Sequence, residues 1–212
     1  MVVLGAGRHA TEILDVLESN NEYSKEVVFF DNSRNYGPNA YFKDYRIIRN
    51  LDMLRSHFEE NRDFILGVGN PKVRMALGAI GKDHGGQLHS IISKTALIGN
   101  NEVYLSEGLN IMHNVMISSY SSIGVGTLIN ARTNIHHDCQ IGEYCEIGPG
   151  CTITGNVEIG NYCSLGAGVT IIPNIKVGSN VKIGAGAVVT TDLKDNTLYV
   201  GIPAKEQGSS LT

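Results

Sequence analysis

The chain has no tryptophan, only 7% aromatic residues, five prolines and four cysteines among its 212 residues. Each shortage excludes something. Aromatic side chains carry the largest apolar payload per residue, so this core must be built from smaller aliphatics. No run of about 18 apolar residues occurs, so no membrane-spanning helix is expected. Residues 1–10 lack a basic segment leading into a long apolar stretch, so no signal peptide is expected. Cysteines without a secretory signal predict reduced thiols and a cytoplasmic protein. Lys+Arg number 17 against 21 Asp+Glu, a net charge of −4 with no long basic stretch. Neither nucleic acid nor an anionic membrane surface is therefore an expected partner. The length suffices for one large or two small domains. What the chain does have is glycine, 25 residues of it, and a glycine-rich, aromatic-poor chain is to be searched first for repeats.

A repeat is present with a period of six. Ile111, Ile117, Ile123, Ile129, Ile135, Ile141, Ile147, Ile153, Ile159, Leu165, Ile171, Val177, Ile183 and Val189 are fourteen successive aliphatics at that spacing. Aliphatics are far too rare in ordinary sequence for this to be chance. Four residues after each stands a small or β-branched residue, from Val115 to Ala187, and all four cysteines (Cys139, Cys145, Cys151, Cys163) fall in that slot. They read as buried apolar thiols. Zinc would want paired C-x2-C spacing, which is absent, so no metal is expected. Glycine often follows the aliphatic, as at Gly124, Gly142, Gly148, Gly160, Gly166, Gly178 and Gly184, and Gly or Asn is expected where corners need positive φ. The pattern resembles the hexapeptide-repeat family, in which three hexapeptides make one triangular coil of a left-handed parallel β-helix. The register runs back to Leu105, then slips by one residue to Ile98 and Ile92, which predicts an insertion near Tyr104. The β-helix is expected over residues 90 to 191.

Residues 1–89 have another rhythm. Short apolar strands are expected at Val2–Leu4, Val27–Phe30, Phe64–Leu66 and Leu88–Ile92. Helical spacing covers Ala10–Glu18 and Leu51–Glu60, and Pro71 opens a further helix at its first position. Alternating strands and helices predict a small parallel α/β, Rossmann-like domain at 1–89, ahead of the β-helix domain with its C-terminal tail at 90–212. Gly5-x-Gly7-x-x-Ala10 suggests phosphate held at a helix N-terminus. A dehydrogenase with Asp31 on a ribose is conceivable, but a full dinucleotide domain needs two halves and about 90 residues hold one. A nucleoside-diphosphate handle is therefore favoured over NAD. Asp31 and Asn32, with Gly67, Gly69 and Asn70 on the neighbouring strand end, are candidate substrate contacts beside Gly5 and Gly7. The plain alternative is that they are ordinary loop residues.

The Gly5-x-Gly7-x-x-Ala10 start, Phe30-Asp31, the Gly67-Val68-Gly69-Asn70 turn, the Asn134-Ile135-His136-His137-Asp138 segment and the Gly201–Lys205 end together resemble one group. These are the bacterial sugar N-acetyltransferases that act on UDP-, dTDP- or GDP-linked 4-amino sugars. The resemblance implies acetyl-CoA as co-substrate and His137 as general base, with Asp138 orienting it. It also implies a backbone N–H at Gly155 for the oxyanion, and Asn130 facing the same cleft. His9 is a candidate sugar-nucleotide contact. CoA would lie between β-helices of a homotrimer, against Gly155, Gly166, Ala185, Pro203 and Lys205. Neutral-range imidazole suits an amine that sheds a proton while attacking a thioester. One departure is Glu146, nine residues after His137, where some relatives carry a second histidine. Three rival readings stand: the same fold O-acetylating sialic acid or another sugar hydroxyl, a zinc β-helix carbonic anhydrase, and a non-catalytic binding module. The second is weakened because His136 and His137 are adjacent on one strand and point to opposite faces.

Overall fold

The structure, a computed structural model, describes residues 1–21, 27–33 and 44–210. The front unit comprises β1 (Val2–Leu4), α1 (Arg8–Ser19), β2 (Val28–Phe30), β3 (Ile47–Ile48), α2 (Leu51–Glu60), β4 (Asp63–Leu66), α3 (Pro71–Asp83) and β5 (Gln87–Leu88). Its strands form one parallel sheet in the order β3-β2-β1-β4-β5. The chain builds outward from β1 to β3, then returns to the other side of β1 with β4. That reversal opens a crevice beyond the carboxyl ends of β1 and β4, where ligands bind in open α/β sheets. Asn70 caps α3 by accepting from the Val73 N–H at 3.2 Å, with Pro71 at the first helical position.

Three sequence expectations differ from what is found. Helix α1 begins at Arg8 rather than Ala10, and β3 had no counterpart in the expectation. The single strand expected over Leu88–Ile92 is two. Gln87–Leu88 pairs with β4, whereas Ile91–Ile92 pairs with Asn110–Ile111 in the next unit. The polar pair His89-Ser90 separates the two strands, and a segment this short has no periodicity that would divide it.

The rest is a parallel β-helix of two-residue strands in three stacked faces. Face 1 carries Ile91–Ile92, Asn110–Ile111, Leu128–Ile129, Glu146–Ile147, Ser164–Leu165 and Lys182–Ile183, and ends in a hairpin of Thr197–Val200 and Lys205–Ser209. Face 2 runs from Leu97–Ile98 through Asn134–Ile135 to Val188–Val189. Face 3 runs from Tyr104–Leu105 through Gln140–Ile141 to Lys176–Val177. Ile98 pairs with Ile117 but Leu105 with Ile123, so the extra residue lies between Ile98 and Leu105, beside Tyr104.

The repeating aliphatics and all four cysteines are buried in the prism. The corners use left-handed backbone at the third residue after each aliphatic, as at Asn114, Gly126, Asp138, Gly150, Asn156 and Gly168. The glycines directly after the aliphatics are different, and here the expectation is corrected: their φ is not positive. They are small because the next coil lies against them. A Cβ on Gly142 would sit 2.6 Å from the Gly160 carbonyl carbon, and one on Gly148 2.5 Å from the Leu165 oxygen.

The front unit rests on face 1. Ile13, Val16 and Leu17 of α1 share a core with Ile91, Met112 and Leu128. Burying each such side chain contributes roughly 1.5–3 kcal/mol. The corner between faces 3 and 1 is covered too: Val125 and Tyr144 pack against the core of β4, α2 and Leu88. None of the core clusters or backbone hydrogen bonds among the described residues joins the front unit to the corner between faces 2 and 3.

Candidate active site

The crevice is built from backbone approach. Gly5 has φ 107°, and a Cβ there would lie 2.5 Å from Val68 Cγ1. On Gly67 a Cβ would lie 2.8 Å from the Gly5 oxygen. Only glycine lets the ends of β1 and β4 close in this way. Asp31, at the end of β2, ties the loops together. Its Oδ2 accepts from the Ala6 N–H at 3.2 Å, and its Oδ1 accepts from the N–H and hydroxyl of Ser33 at 2.9 and 2.6 Å. Gly7 is the N-cap of α1 and supplies no side-chain cap, so the first helical N–H groups are open to an anion. The hollow they surround measures about 240 Å³ and is lined by Gly5, Ala6, Gly7, Asp31, Asn32 and Ser33, with Phe30, Val68, Val73 and Leu77 supplying apolar walls.

Not every candidate faces this hollow. His9 stands in the first turn of α1 but is engaged elsewhere: Asn110 Nδ2 donates to its Nε2 at 3.2 Å, and its Nδ1 donates to Glu12 Oε2 at 2.9 Å. That bond lowers the Glu12 pKa. Asn70 is the α3 cap, and Gly69 abuts the β-helix, where a Cβ would lie 2.5 Å from Glu146 Oε1.

Behind the turn lies a residue that sequence reading passed over. Arg74 of α3 is fully buried. It donates to the carbonyls of Val68 (2.6 Å), Leu66 (3.4 Å) and Gly126 (2.8 Å) and to Asn110 Oδ1 (3.1 Å). Burial lowers its pKa to about 9, with Glu146 and Tyr144 opposing the shift, so it carries charge at neutral pH. It fixes the Leu66–Gly69 turn to the β-helix. A lone arginine in an amphipathic helix gives no signal of this.

His137 stands on the corner between faces 2 and 3. Its Nδ1 lies 2.7 Å from Asp138 Oδ2, and both side chains are more than half exposed. With Nδ1–H donating to the carboxylate, Nε2 is left as an acceptor. Asp138 holds φ 59°, a conformation that Asp tolerates better than most residues. Gly155, one coil on, lies beneath the ring: a Cβ there would be 2.6 Å from His137 Cε1 and 2.8 Å from Nε2. No group among the described residues accepts the Gly155 N–H. On the corner between faces 3 and 1 the equivalent N–H groups of Glu143, Asn161 and Ser179 bond to Asn161, Ser179 and Asp195 one coil up. Pro173 holds that place above Gly155 and offers no acceptor.

Asn130 is not beside His137 within one chain. It lies on the corner between faces 1 and 2, donates to the Ile147 carbonyl at 3.0 Å, and lines a second hollow with Glu12, Asp15 and His113. Gly166 and Ala185 stack on that same corner, a Cβ on Gly166 falling 2.5 Å from the Ala185 N. Pro203 sits in the terminal hairpin connection and Lys205 opens its exposed second strand. Among the described residues no group of three or more His, Cys, Asp or Glu is placed to hold a metal ion, and no helix is long and apolar enough to cross a membrane.

A nucleotide-type crevice on a short parallel α/β unit, joined to a hexapeptide β-helix bearing a His–Asp pair, defines a hexapeptide-repeat transferase. Residues 1–78 match the PglD N-terminal domain family, and residues 120–155 and 156–191 match the bacterial transferase hexapeptide family. GDP-perosamine N-acetyltransferase from Caulobacter crescentus, solved with CoA and GDP-perosamine, is 30% identical over 98% of this chain and 96% of its own, with a TM-score of 0.87. The acetyltransferase domain of PglB from Neisseria gonorrhoeae, solved with acetyl coenzyme A, is 27% identical over 97% of this chain and 98% of its own, with a TM-score of 0.86. WeeI from Acinetobacter baumannii is 26% identical over the same shares, with a TM-score of 0.87. The chain belongs to the hexapeptide-repeat sugar acetyltransferase family and is an acyltransferase.

Proposed function

We propose that the protein transfers acetyl from acetyl-CoA to the 4-amino group of a nucleotide-linked 4-amino-4,6-dideoxy sugar. Residues 1–89 hold the nucleotide sugar, and residues 90–212 bind CoA and carry the chemistry. The observation that carries this reading is His137 itself: a bare imidazole Nε2, oriented by Asp138, beside the unaccepted N–H of Gly155. The whole-length similarity to an N-acetyltransferase solved with CoA and GDP-perosamine supports the substrate class.

The neutral amine attacks the thioester carbonyl carbon. Its proton passes to His137 Nε2 as the N–C bond forms, and Asp138 stabilises the imidazolium. The Gly155 N–H steadies the oxyanion. The C–S bond then breaks, and the departing sulfur takes the proton back from His137. No covalent enzyme intermediate is needed.

The site is completed between chains. The crevice lies over face 1, while His137 is on the opposite corner, uncovered by its own front unit. The outward row of face 2 (Leu97, Met116, Asn134, Thr152, Thr170, Val188) carries no charge, and Leu97 is 71% exposed. This supports a homotrimer in which face 2 meets its neighbours and brings His137 to the partner's Asn130 corner. CoA then lies along Gly155, Gly166 and Ala185 toward Pro203 and Lys205, and the crevice residues Gly5, Gly7, Asp31, Asn32 and Gly67 hold the nucleotide.

The test is thiol release from acetyl-CoA with a panel of UDP-, dTDP- and GDP-linked 4-amino sugars plus sialic acid. One amino sugar should drive release, and His137→Ala should lower kcat/KM by roughly 10²–10⁴-fold. Release with sialic acid alone would move the reading to O-acetylation, and an unimpaired variant would remove His137 from the mechanism.

A further inference from the structure

We propose that Glu146 selects an amine-bearing acceptor over its hydroxyl counterpart by binding the protonated amine; the inference rests on the amino-sugar reading above. Glu146 is the outward residue of its strand on face 1, half-buried at the seam between the two units. Below it in the ladder is Leu128, which the front unit buries; above it is Ser164. Its carboxylate lies against Gly69, which has no side chain to keep it away. Gly69 follows Val68, and Val68 lines the nucleotide crevice. A sugar leaving the crevice across this turn therefore meets the carboxylate next.

The carboxylate is under-partnered for its position. Its one hydrogen bond among the described residues is a long one from the Ser164 hydroxyl at 3.4 Å, and no Lys, Arg or His nitrogen forms an ion pair with it. The nearby buried cation, Arg74, spends its donors on three carbonyls and Asn110. An ionised acceptor with spare lone pairs at a ligand passage favours a cationic donor. A sugar amine is such a donor near neutral pH; a hydroxyl is not. Because the contact is made to the ground-state ammonium, which must lose its proton before attack, it strengthens binding and lowers KM rather than raising kcat.

The experiment uses the intact protein and three ligands for the nucleotide that the panel identifies: the 4-amino sugar nucleotide, its 4-hydroxy counterpart and the free nucleoside diphosphate. Affinities are measured by calorimetry for wild type, Glu146→Gln and Glu146→Asp, alongside KM and kcat. Wild type should prefer the amine to the hydroxyl by roughly tenfold or more, the scale of a charge-assisted hydrogen bond. Glu146→Gln, nearly isosteric, should erase that preference and raise KM and kcat together by a similar factor, leaving kcat/KM and nucleoside-diphosphate affinity within about twofold. Glu146→Asp should restore part of it. A preference that survives in Glu146→Gln, or is missing in wild type, overturns the assignment of Glu146 while transfer to the amino sugar still stands. Failure of every amino sugar to bind or react sinks the underlying reading as well.

Discussion

At the scale of single residues, the corner proposed to react depends on an atom that is not there. The His137 ring occupies the space a Gly155 side chain would fill. Gly155→Ala should therefore tilt the imidazole and lower kcat by about 10²-fold, the usual result of displacing a catalytic group by an ångström. The same variant should leave the urea unfolding midpoint nearly unchanged, because its φ is not in the left-handed region and His137 is free to swing into solvent. Asp138→Asn should keep the corner's backbone, since Asn also accepts positive φ, yet lose the carboxylate that fixes the tautomer. Its kcat should fall while CoA affinity holds. His137 and Asp138 were legible in the sequence because repeat phase and motif agree on an exposed corner. Asn130 was legible as polar but not as distant: successive hexapeptides turn successive corners, so seven residues carry it to another side of the prism. His9 was legible as a residue of the glycine turn, but its ring contacts with Asn110 and Glu12 were not.

At the scale of elements, the period of six in aliphatic residues determined nearly every strand of the β-helix, because each coil repeats the same steric problem eighteen residues later. The front unit was less legible. Strand β3 is two residues long and offers no period to read, and Leu88–Ile92 is too short for one, although His89 and Ser90 mark the point where the chain changes sheet. Arg74 was invisible because its role exists only once α3, the Val68 turn and Gly126 have come together. Arg74→Met should leave the Val68 and Gly126 carbonyls and Asn110 Oδ1 without their donor. A loss of about 3–5 kcal/mol in denaturant unfolding is expected. The cysteines make a second prediction. Burial pushes the Cys151 thiol up to about 11 and raises Cys139 also, whereas an unfolded thiol titrates near 8.5. Stability from these neutral thiols is full below that value and falls as pH climbs toward 11, since only the unfolded chain releases the proton. Native protein at pH 8 should resist thiol labelling, and all four cysteines should react in denaturant.

At the scale of the whole molecule, the crevice and His137 lie on different sides of one chain. A mixture of His137→Ala and Asp31→Ala chains, each inactive alone, should regain about one quarter of wild-type activity if every site joins one chain's crevice to its neighbour's histidine in randomly assorted trimers. No recovery after co-refolding would place both halves of the site within one chain. The coils also have to end. At the first coil the buried side chain of Asn20 donates to the Ile92 carbonyl at 2.8 Å and accepts from the Lys94 N–H at 2.9 Å, as a further strand would. At the last, Lys205–Ser209 runs antiparallel to Thr197–Val200, fully exposed and charged. A stack of identical rungs behaves like a crystal growing along one axis, and a growing crystal stops only when its end faces are poisoned. Asn20 and the reversed strand are those poisons. Cutting the chain after Val200 would leave a parallel edge open to the next molecule, and the expected product is filaments, visible by electron microscopy, in place of discrete particles.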